Sequence, residues 1–341
     1  MSSIIPFFVS CHKRVLPELP LADAALSLPM AYPRGLRRAE TGPRLVPNAE
    51  CHVGEGFVSV VVPAYNEGDG VKLTLATIDE LAQDKSLVEI IVVDAGCKDH
   101  TMEAVASMKL DVKLSTTTSV GGRGPALNAG ARMAKGDLLL FVHADTIVPP
   151  AFDVTLRKAF RDPEILMSTF LFGINRALLR GKEPFGMAVM ERVTNYRTRV
   201  IHLPYGDQAS RAFCFTAHKF AEMGGFPDIV MMEDFEVVRR LRKEELAGGG
   251  HIHVLDEAAL CNPRRWEQPG NNPFVNFWKN WVFLFLYSKL GFSPEQIFRL
   301  YYGRDPDPIV VADDSHSLDA GSGGKILDDQ AHNSAEPAPS R

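Results

Sequence analysis

The sequence has few cysteines, no long apolar run and no excess of basic charge. Its five cysteines, at positions 11, 51, 97, 214 and 261, are widely spaced and form no C-x-x-C pair. This argues against a disulfide framework or a zinc knuckle and indicates a reducing compartment. The apolar run at 281–287 is far shorter than the about 20 residues that cross a bilayer. The 37 Lys and Arg against 42 Asp and Glu argue against a nucleic-acid partner.

Neither end of the chain has a sustained apolar period. Residues 1–56 contain seven prolines, and residues 312–341 are rich in Asp, Ser, Gly and Asn. We therefore predict a disordered leader and a disordered tail outside the fold. The leader is a poor secretory signal because Pro6 breaks its first apolar residues and no basic residue precedes them. We expect a cytoplasmic protein, with an organelle transit peptide in the arginine-containing leader as the alternative.

The segment between the leader and residue 147 alternates between two kinds of pattern. Apolar, β-branched runs predict strands buried on both faces, and segments of helical period lie between them. The strands are predicted at 57–62, 88–93, 112–114 and 137–142, and the helices at 70–83, 101–108 and 125–134. This alternation indicates βαβ units and hence an α/β fold, a doubly wound and mostly parallel sheet flanked by helices.

Beyond residue 147 the pattern predicts further helices and strands. The helices are at 151–160, 184–198, 233–246 and 274–303, and the strands around 165–175, 211–216 and 251–260. The last helical segment carries an apolar stripe made of Phe274, Phe277, Trp278, Trp281, Val282, Phe285 and Leu286. We expect these C-terminal amphipathic helices to pack this stripe onto the core. The alternative is an interfacial helix, because two Trp and Lys279 suit a lipid headgroup layer.

Polar residues follow three of the predicted buried strands. P-A-Y-N-E at 63–67 follows the first, Asp94 ends the second, and H-A-D at 143–145 follows the strand at 137–142. Ligands of open α/β sheets bind beyond the carboxyl ends of strands, so these segments predict one binding rim, although the first is also compatible with a plain turn. His143 and Asp145 are candidate ligands for Mg²⁺ or Mn²⁺ completed by phosphate oxygens and water.

A glycine-rich loop, G-G-R-G-P-A-L-N-A-G at 121–130, runs into a predicted helix. Backbone N–H groups at a helix start, together with Arg123, suit a diphosphate. The alternative is a flexible turn with a solvated arginine. The loop matches neither the P-loop nor a convincing dinucleotide fingerprint, so it gives no support to a kinase or a dehydrogenase.

Two further segments, M-E-D at 232–234 and N-P-R-R-W at 262–266, are candidates for chemistry. A carboxylate at the first could remove a proton from an acceptor hydroxyl. From the residues alone, acids in the first turn of any helix are favoured by the helix dipole, so capping is the simpler interpretation.

Together, these segments resemble a family 2 glycosyltransferase of the inverting GT-A type over roughly residues 57–266. The resemblance is closest to a small soluble bacterial-type branch with H-A-D in place of the D-x-D motif. It implies a GT-A-like domain at 57–266 and leaves 267–311 as a C-terminal helical extension. It also implies non-processive transfer of a sugar from a UDP- or GDP-linked donor to an unknown hydroxyl acceptor, assisted by Mn²⁺ or Mg²⁺.

The resemblance also assigns roles to single residues. It implies that Asp234 is the general base, with Glu233 beside it, and that Asp145 binds the metal. The residues implied in nucleotide-sugar binding are Pro63, Tyr65, Glu67, Asp94, Arg123, Asn128, His143, Arg265 and Trp266. Trp266 would stack on a sugar, the alternative being a buried position at the sheet edge.

Two other functions remain open alternatives. A nucleotidyltransferase would use a similar nucleotide fold, but it gives no reason for the E-D and R-R-W segments. A catalytically silent nucleotide-sugar-binding adaptor is disfavoured by the presence of Asp94, Asp145 and Asp234. A lipid-linked acceptor would favour peripheral membrane contact through residues 274–286.

Overall fold

The computed structural model of the protein describes residues 56–119, 121–205, 212–267 and 273–306. The predicted tail, all of the predicted leader but its last residue, and the G-D-Q segment at 206–208 lie outside these residues. The side chains of Arg265, Phe274 and Phe277 also lie outside the described part. The proposed division into leader, domain, extension and tail therefore stays a prediction.

The described residues form one eight-stranded sheet in the order β3-β2-β1-β4-β7-β6-β8-β5. The strands are β1 (Val58–Ala64), β2 (Val88–Asp94), β3 (Lys113–Thr118), β4 (Leu138–Val142), β5 (Thr146–Ile147), β6 (Ile165–Ile174), β7 (Ala212–Thr216) and β8 (His251–Cys261). Strands β3, β2, β1 and β4 are mutually parallel, whereas β7 is antiparallel to β4 and to β6. Strand β8 is parallel to β6 and antiparallel to β5.

Ten α-helices connect and flank these strands within the described ranges. They are α1 (Gly70–Leu81), α2 (Thr101–Ala106), α3 (Arg123–Met133), α4 (Phe152–Ala159), α5 (Met187–Val200), α6 (Ala217–Glu222), α7 (Glu233–Leu246), α8 (Arg264–Glu267), α9 (Pro273–Leu290) and α10 (Pro294–Tyr302). The predicted α/β class with a mostly parallel sheet is therefore confirmed. The short helix α6 was not predicted.

Strand β1 shows why the buried strands are apolar at most positions. Val60 and Val62 pack with Leu75 of α1 on one face of the sheet, whereas Val61 packs with Val237 of α7 on the other. Side chains alternate between the faces of a strand, so a strand covered by helices on both sides must be apolar throughout. This explains the continuous valine run of the sequence.

Helix α3 lies unusually close to the parallel strands. A Cβ placed on Gly130 would lie 2.3 Å from Val61 Cγ1 and 2.9 Å from Val93 Cγ2. Such distances leave no room for a methyl group, so glycine is the residue that lets this helix approach the sheet. The approach positions the N-terminus of α3 beside the ends of β1 and β2.

The prediction that the C-terminal apolar stripe packs onto the core is wrong for four of its members. Trp278, Trp281, Val282 and Phe285 are exposed, whereas Tyr287 is buried, with Phe283, Leu284 and Leu286 packed around it. Helix α9 is apolar around most of its circumference, so its periodicity could not identify the buried face.

The predicted single helix at 274–303 is two helices, α9 and α10. Gly291 has a φ of 72°, and Ser293 begins α10 with a capping box to Gln296.

Within the described residues, no helix is both long enough and apolar enough to span a membrane.

Candidate functional site

The segment that follows β1 forms a tight turn fixed onto the segment that follows β2. Asn66 has a φ of 53°, and its Oδ1 accepts the backbone N–H of Lys98 at 2.8 Å. The Oγ1 of Thr101 accepts the N–H groups of Glu67 at 2.9 Å and of Gly68 at 2.8 Å. These bonds hold Tyr65, which is exposed, at the carboxyl edge of the parallel strands. Thr101 was missed from the sequence because its hydroxyl reaches a turn more than 30 residues away.

Asp94 shapes the turn that follows β2. Its Oδ1 accepts the N–H groups of Gly96 at 3.0 Å and of Cys97 at 2.7 Å. Both bonds fall on one oxygen, and the Asp94 carboxylate also interacts with the thiol of Cys97. Asp94 therefore caps the turn at the carboxyl end of β2, and its hydrogen bond to a base stays a prediction.

Four predicted site residues from three distant segments meet at the start of α3. Arg123, the first residue of this helix, pairs through Nε with Glu233 and through Nη2 with Asp234 Oδ2 at 3.3 Å. Its Nη1 lies 3.2 Å from His143 Nε2. One guanidinium thus joins the glycine-rich loop, the segment after β4 and the two acids of α7.

Glu233 and Asp234, the first two residues of α7, are both buried. Met232, with a φ of 74°, precedes them, and Asp234 Oδ1 accepts the N–H of Phe235 at 2.7 Å. Burial raises the pKa of Glu233, and the Asp234 carboxylate adds to the rise while Arg123 opposes it. A helix cap needs only an acceptor for N–H groups of the first turn. Here two buried carboxylates also share the guanidinium of Arg123, which capping does not require.

Asp145 lies in a short turn between β4 and β5 that neighbouring segments hold in place. Thr74 Oγ1 donates to the carbonyl of Ala144 at 2.8 Å, and the N–H of Asn262 donates to the carbonyl of Asp145 at 3.0 Å. Among the described residues, no three His, Cys, Asp or Glu side chains are grouped so that they could hold a metal ion. A single carboxylate nevertheless fits Mg²⁺ or Mn²⁺ when the substrate's phosphates supply other ligands.

Two residues predicted to bind the nucleotide sugar make other contacts. Asn128 is buried, donates from Nδ2 to the carbonyl of Phe226 at 2.8 Å and accepts its N–H at 2.9 Å. Trp266 is buried against Phe172, with the ring centroids 6.3 Å apart. The buried alternative for this tryptophan fits these contacts better than stacking on a sugar. Asn128 positions the segment that leads to α7.

The R-R-W segment also places Arg264 at the rim. Arg264, not proposed from the sequence, pairs with Glu67 and so connects the segment after β8 to the turn after β1.

Tyr205 and Arg197 border the acids of α7 and were not predicted as site residues. Arg197 donates from Nη2 to the carbonyl of Tyr205 at 2.5 Å, and its guanidinium carbon lies 4.0 Å from the centre of the tyrosine ring. The Tyr205 ring packs edge-on against Phe235 at 5.1 Å. Burial raises the pKa of Tyr205. No short-range pattern in the sequence connects these residues to Asp234.

The sequence of the strand-rich half matches a known family. Residues 59–219 match the model of glycosyl transferase family 2. The dolichol-phosphate mannosyltransferase of Pyrococcus furiosus is 33% identical over 107 residues, 31% of this chain and 30% of that protein. The uncharacterized glycosyltransferase YfnE of Bacillus subtilis is 31% identical over 116 residues, 33% of this chain and 29% of that protein. The matched segment thus spans about three tenths of the length of these curated relatives.

Solved structures resemble this chain at lower identity. A mannosyltransferase from Pyrobaculum calidifontis, solved in complex with GDP-Man and Mn²⁺, is 20% identical with a TM-score of 0.49 and covers 84% of this chain and 71% of its own. Glucosyl-3-phosphoglycerate synthase from Mycobacterium tuberculosis, solved in complex with Mn²⁺, UDP and phosphoglyceric acid, is 17% identical with a TM-score of 0.44. The match covers 69% of this chain and 78% of that protein. Over residues 59–219, just under half of its length, the chain is therefore similar to glycosyl transferase family 2.

Proposed function

We propose that the protein is an inverting glycosyltransferase that uses a nucleotide-diphosphate sugar and a hydroxyl acceptor. The observation that carries the proposal is the contact of Arg123 with Glu233, Asp234 and His143, in a chain that matches the model of glycosyl transferase family 2 over residues 59–219. It brings the glycine-rich loop, suited to a diphosphate, beside acids suited to deprotonate an acceptor.

The donor would lie along the carboxyl edge of the parallel strands. Tyr65 offers an exposed aromatic face to the base, and Asp94 an oxygen to a base N–H. The N–H groups at the start of α3 and the guanidinium of Arg123 face the region suited to the diphosphate. Pro63, Glu67 and Arg265 stay expected members of this site. Pro63 lies in β1, and Glu67 already pairs with Arg264.

The acceptor would approach from the side of α7. Asp234 takes the proton of the acceptor hydroxyl, whose oxygen forms a bond to the anomeric carbon of the sugar. The bond from that carbon to the diphosphate breaks, and its electron pair leaves with the nucleoside diphosphate. Attack opposite to the leaving group inverts the configuration. Buried Glu233 holds Arg123 in place beside this base.

Asp145 and His143 are the residues that would hold a divalent cation beside the diphosphate. Such an ion neutralises the charge of the departing diphosphate. A single carboxylate with phosphate and water oxygens is a ligand set that Mg²⁺ and Mn²⁺ accept. The fixed turn around Asp145 keeps this carboxylate at the binding rim.

Calorimetry tests the donor site. We expect the full chain to bind one of UDP, GDP or dTDP more tightly with Mn²⁺ than without it, and Asp145→Ala to abolish that difference while the melting temperature holds. Asp111→Ala is the matched control, since Asp111 is exposed and paired with Lys85 at 2.8 Å. Equal metal-dependent affinity in Asp145→Ala would remove Asp145 from the proposal. Absence of binding to all three nucleotides would remove the donor assignment.

A further inference from the structure

Helices α5 and α9 contact each other and both expose large apolar side chains. We call these side chains the α5–α9 surface: Trp278, Trp281, Val282 and Phe285 of α9, and Val189 and Val193 of α5. Their exposed fractions range from 37% for Val193 to 56% for Trp278. The α9 members are spaced i, i+3, i+4 and i+7, so they share one face of that helix. Large apolar groups gathered in this way mark interaction sites.

The opposite face of α9 already has its packing partner. Tyr287 is buried against Phe235 of α7, with the ring centroids 6.0 Å apart, and its hydroxyl donates to Glu236 Oε1 at 3.0 Å. Helix α9 is therefore anchored to the protein by one face while the other remains apolar and exposed. A helix that is apolar all round is expected to be covered on all sides.

The charge of these two helices indicates what covers the surface. Helices α5 and α9 contain five basic residues and one acid, whereas the whole chain has a net charge of −5. Of the basic residues, Arg197 is buried and Arg199 is paired with Asp256 at 2.7 Å, so the charge argument depends on Arg192 and Lys279. The acid, Glu191, is paired with Arg176 at 2.7 Å. Arg192 and Lys279 are exposed, and neither is paired with an acid of the described chain. A basic, apolar surface on an acidic protein complements an anionic lipid layer.

We propose that the α5–α9 surface docks the protein onto an anionic phospholipid bilayer. Trp278 and Trp281 would lie at headgroup depth, where amphipathic indole rings are favoured. Val282 and Phe285 would enter the outer acyl region, and Arg192 and Lys279 would contact lipid phosphates. This is peripheral binding by helices that lie in the interface, not insertion across it.

Docking would bring the catalytic helix close to the lipid. The inner face of α9 contacts Phe235, which directly follows Asp234, and its outer face would contact the bilayer. A helix with its side chains is about 10–12 Å across, so Asp234 would lie roughly one helix diameter from the headgroups. This placement would give Asp234 access to an acceptor carried by a lipid, an inference that rests on the proposed function. The docking itself does not depend on the proposed function.

Vesicle flotation tests the docking without any donor or acceptor. The full chain is mixed with phosphatidylcholine vesicles, with or without phosphatidylglycerol, and we expect it to float with the anionic vesicles only. Combining Trp278→Ser, Trp281→Ser and Phe285→Ser should lower the partition coefficient by more than about tenfold. Leu246→Ser is the matched control, since Leu246 is 63% exposed at the end of α7, outside this surface, and should leave binding unchanged.

A charge variant keeps the proposal testable if the triple variant fails to fold. Arg192→Gln with Lys279→Gln changes only exposed side chains and should weaken binding to anionic vesicles by about fivefold per residue. Flotation of the triple variant as strong as that of the parent would overturn the proposal. So would failure of the parent to bind anionic vesicles, or equal binding to neutral ones. A parent that is dimeric in light scattering, with the triple variant monomeric, would assign the surface to a second copy instead.

Discussion

At the scale of single residues, Arg123 is the residue on which the candidate site depends most. It is partly exposed, whereas the carboxyl groups of Glu233 and Asp234 that it contacts are buried. Buried carboxylates that lose their cationic partner remain desolvated, and their ionised forms become costly. The same contact that organises the site therefore also stabilises the fold.

Arg123→Gln should lower the free energy of unfolding by about 1–3 kcal/mol near neutral pH. Without the guanidinium the already raised pKa of Glu233 rises further. A group whose pKa is raised in the folded state costs stability as the pH rises through that pKa. The deficit of the variant should thus be larger at pH 8 than at pH 5, as measured by urea unfolding at both values.

Arg176→Gln is the control for this measurement. Arg176 pairs with Glu183 and Glu191 on the surface, where ion pairs contribute less than about 1 kcal/mol. We expect little change at either pH. The account of the buried acids would be contradicted if Arg123→Gln lost no more free energy of unfolding than Arg176→Gln. A loss that is smaller at pH 8 than at pH 5 would also contradict it.

At the scale of elements, Asp153 joins α4 to the segment that follows α1. Its two oxygens accept the N–H groups of Gln83 and Asp84, each at 3.0 Å, and it pairs with Arg157 at 2.5 Å. Burial opposes ionisation, but these donors lower the pKa of Asp153 below its ordinary value. The carboxylate connects two helices that flank the same face of the sheet.

Asp153→Asn should destabilise the protein by about 1–3 kcal/mol at pH 7. A lowered pKa contributes stability that is present above the unfolded-state pKa, about 3.9, and is lost as the pH falls through the folded value. The difference between parent and variant in urea unfolding should therefore narrow below about pH 4. A difference as large at pH 3 as at pH 7 would show that the ionised carboxylate is not the stabilising form.

The contact between α3 and the sheet gives another prediction at this scale. Gly130→Ala forces a methyl group into the valines of β1 and β2 and should cost about 1–3 kcal/mol. Gly181→Ala is its control, because a Cβ there would meet no atom within 4 Å. Equal melting temperatures for the two variants would mean that α3 can move away from the sheet at no cost.

The sequence predicted elements better than contacts. The helix at 233–246 and the strands at 88–93 and 137–142 were located to within a residue or two, because their apolar patterns are long and unmixed. The partners of Arg123 lie 110 and 111 positions further along the chain. Only the sheet order brings them together, and no local pattern encodes that order.

Helix α9 and Trp266 show a second reason why a sequence pattern does not determine the surroundings of a residue. An apolar helix and a tryptophan are compatible with burial, with a ligand and with a membrane, because hydrophobicity does not specify the covering partner. The structure buries Trp266 and exposes Trp278. That choice depends on which elements surround each residue, which is a property of the whole fold.

At the scale of the whole molecule, the sheet has two halves with different tasks. The parallel strands β3, β2, β1 and β4 end at one edge, where the polar turns suited to a nucleotide lie. The mixed half extends the sheet beyond β4, and α7 contributes the acids that meet Arg123. In the proposed mechanism, the groups that bind the donor and the base that serves the acceptor come from separate parts of one chain, so the central claim depends on whether Asp234 acts between them.

Sugar transfer by Asp234→Asn tests that claim most directly, once an acceptor has been identified. Asparagine keeps the shape of the side chain and its hydrogen bond to the Phe235 N–H, but it cannot take a proton. We predict that donor and metal affinity survive and that turnover falls by about 10²–10⁴-fold, the usual contribution of a positioned general base. Asp234→Ala separates the role of general base from that of helix cap. If Asp234 only caps α7, this variant should lose roughly 1 kcal/mol of stability and keep the turnover of the parent. Full transfer by Asp234→Asn would contradict the account and move the search for the base to Glu233.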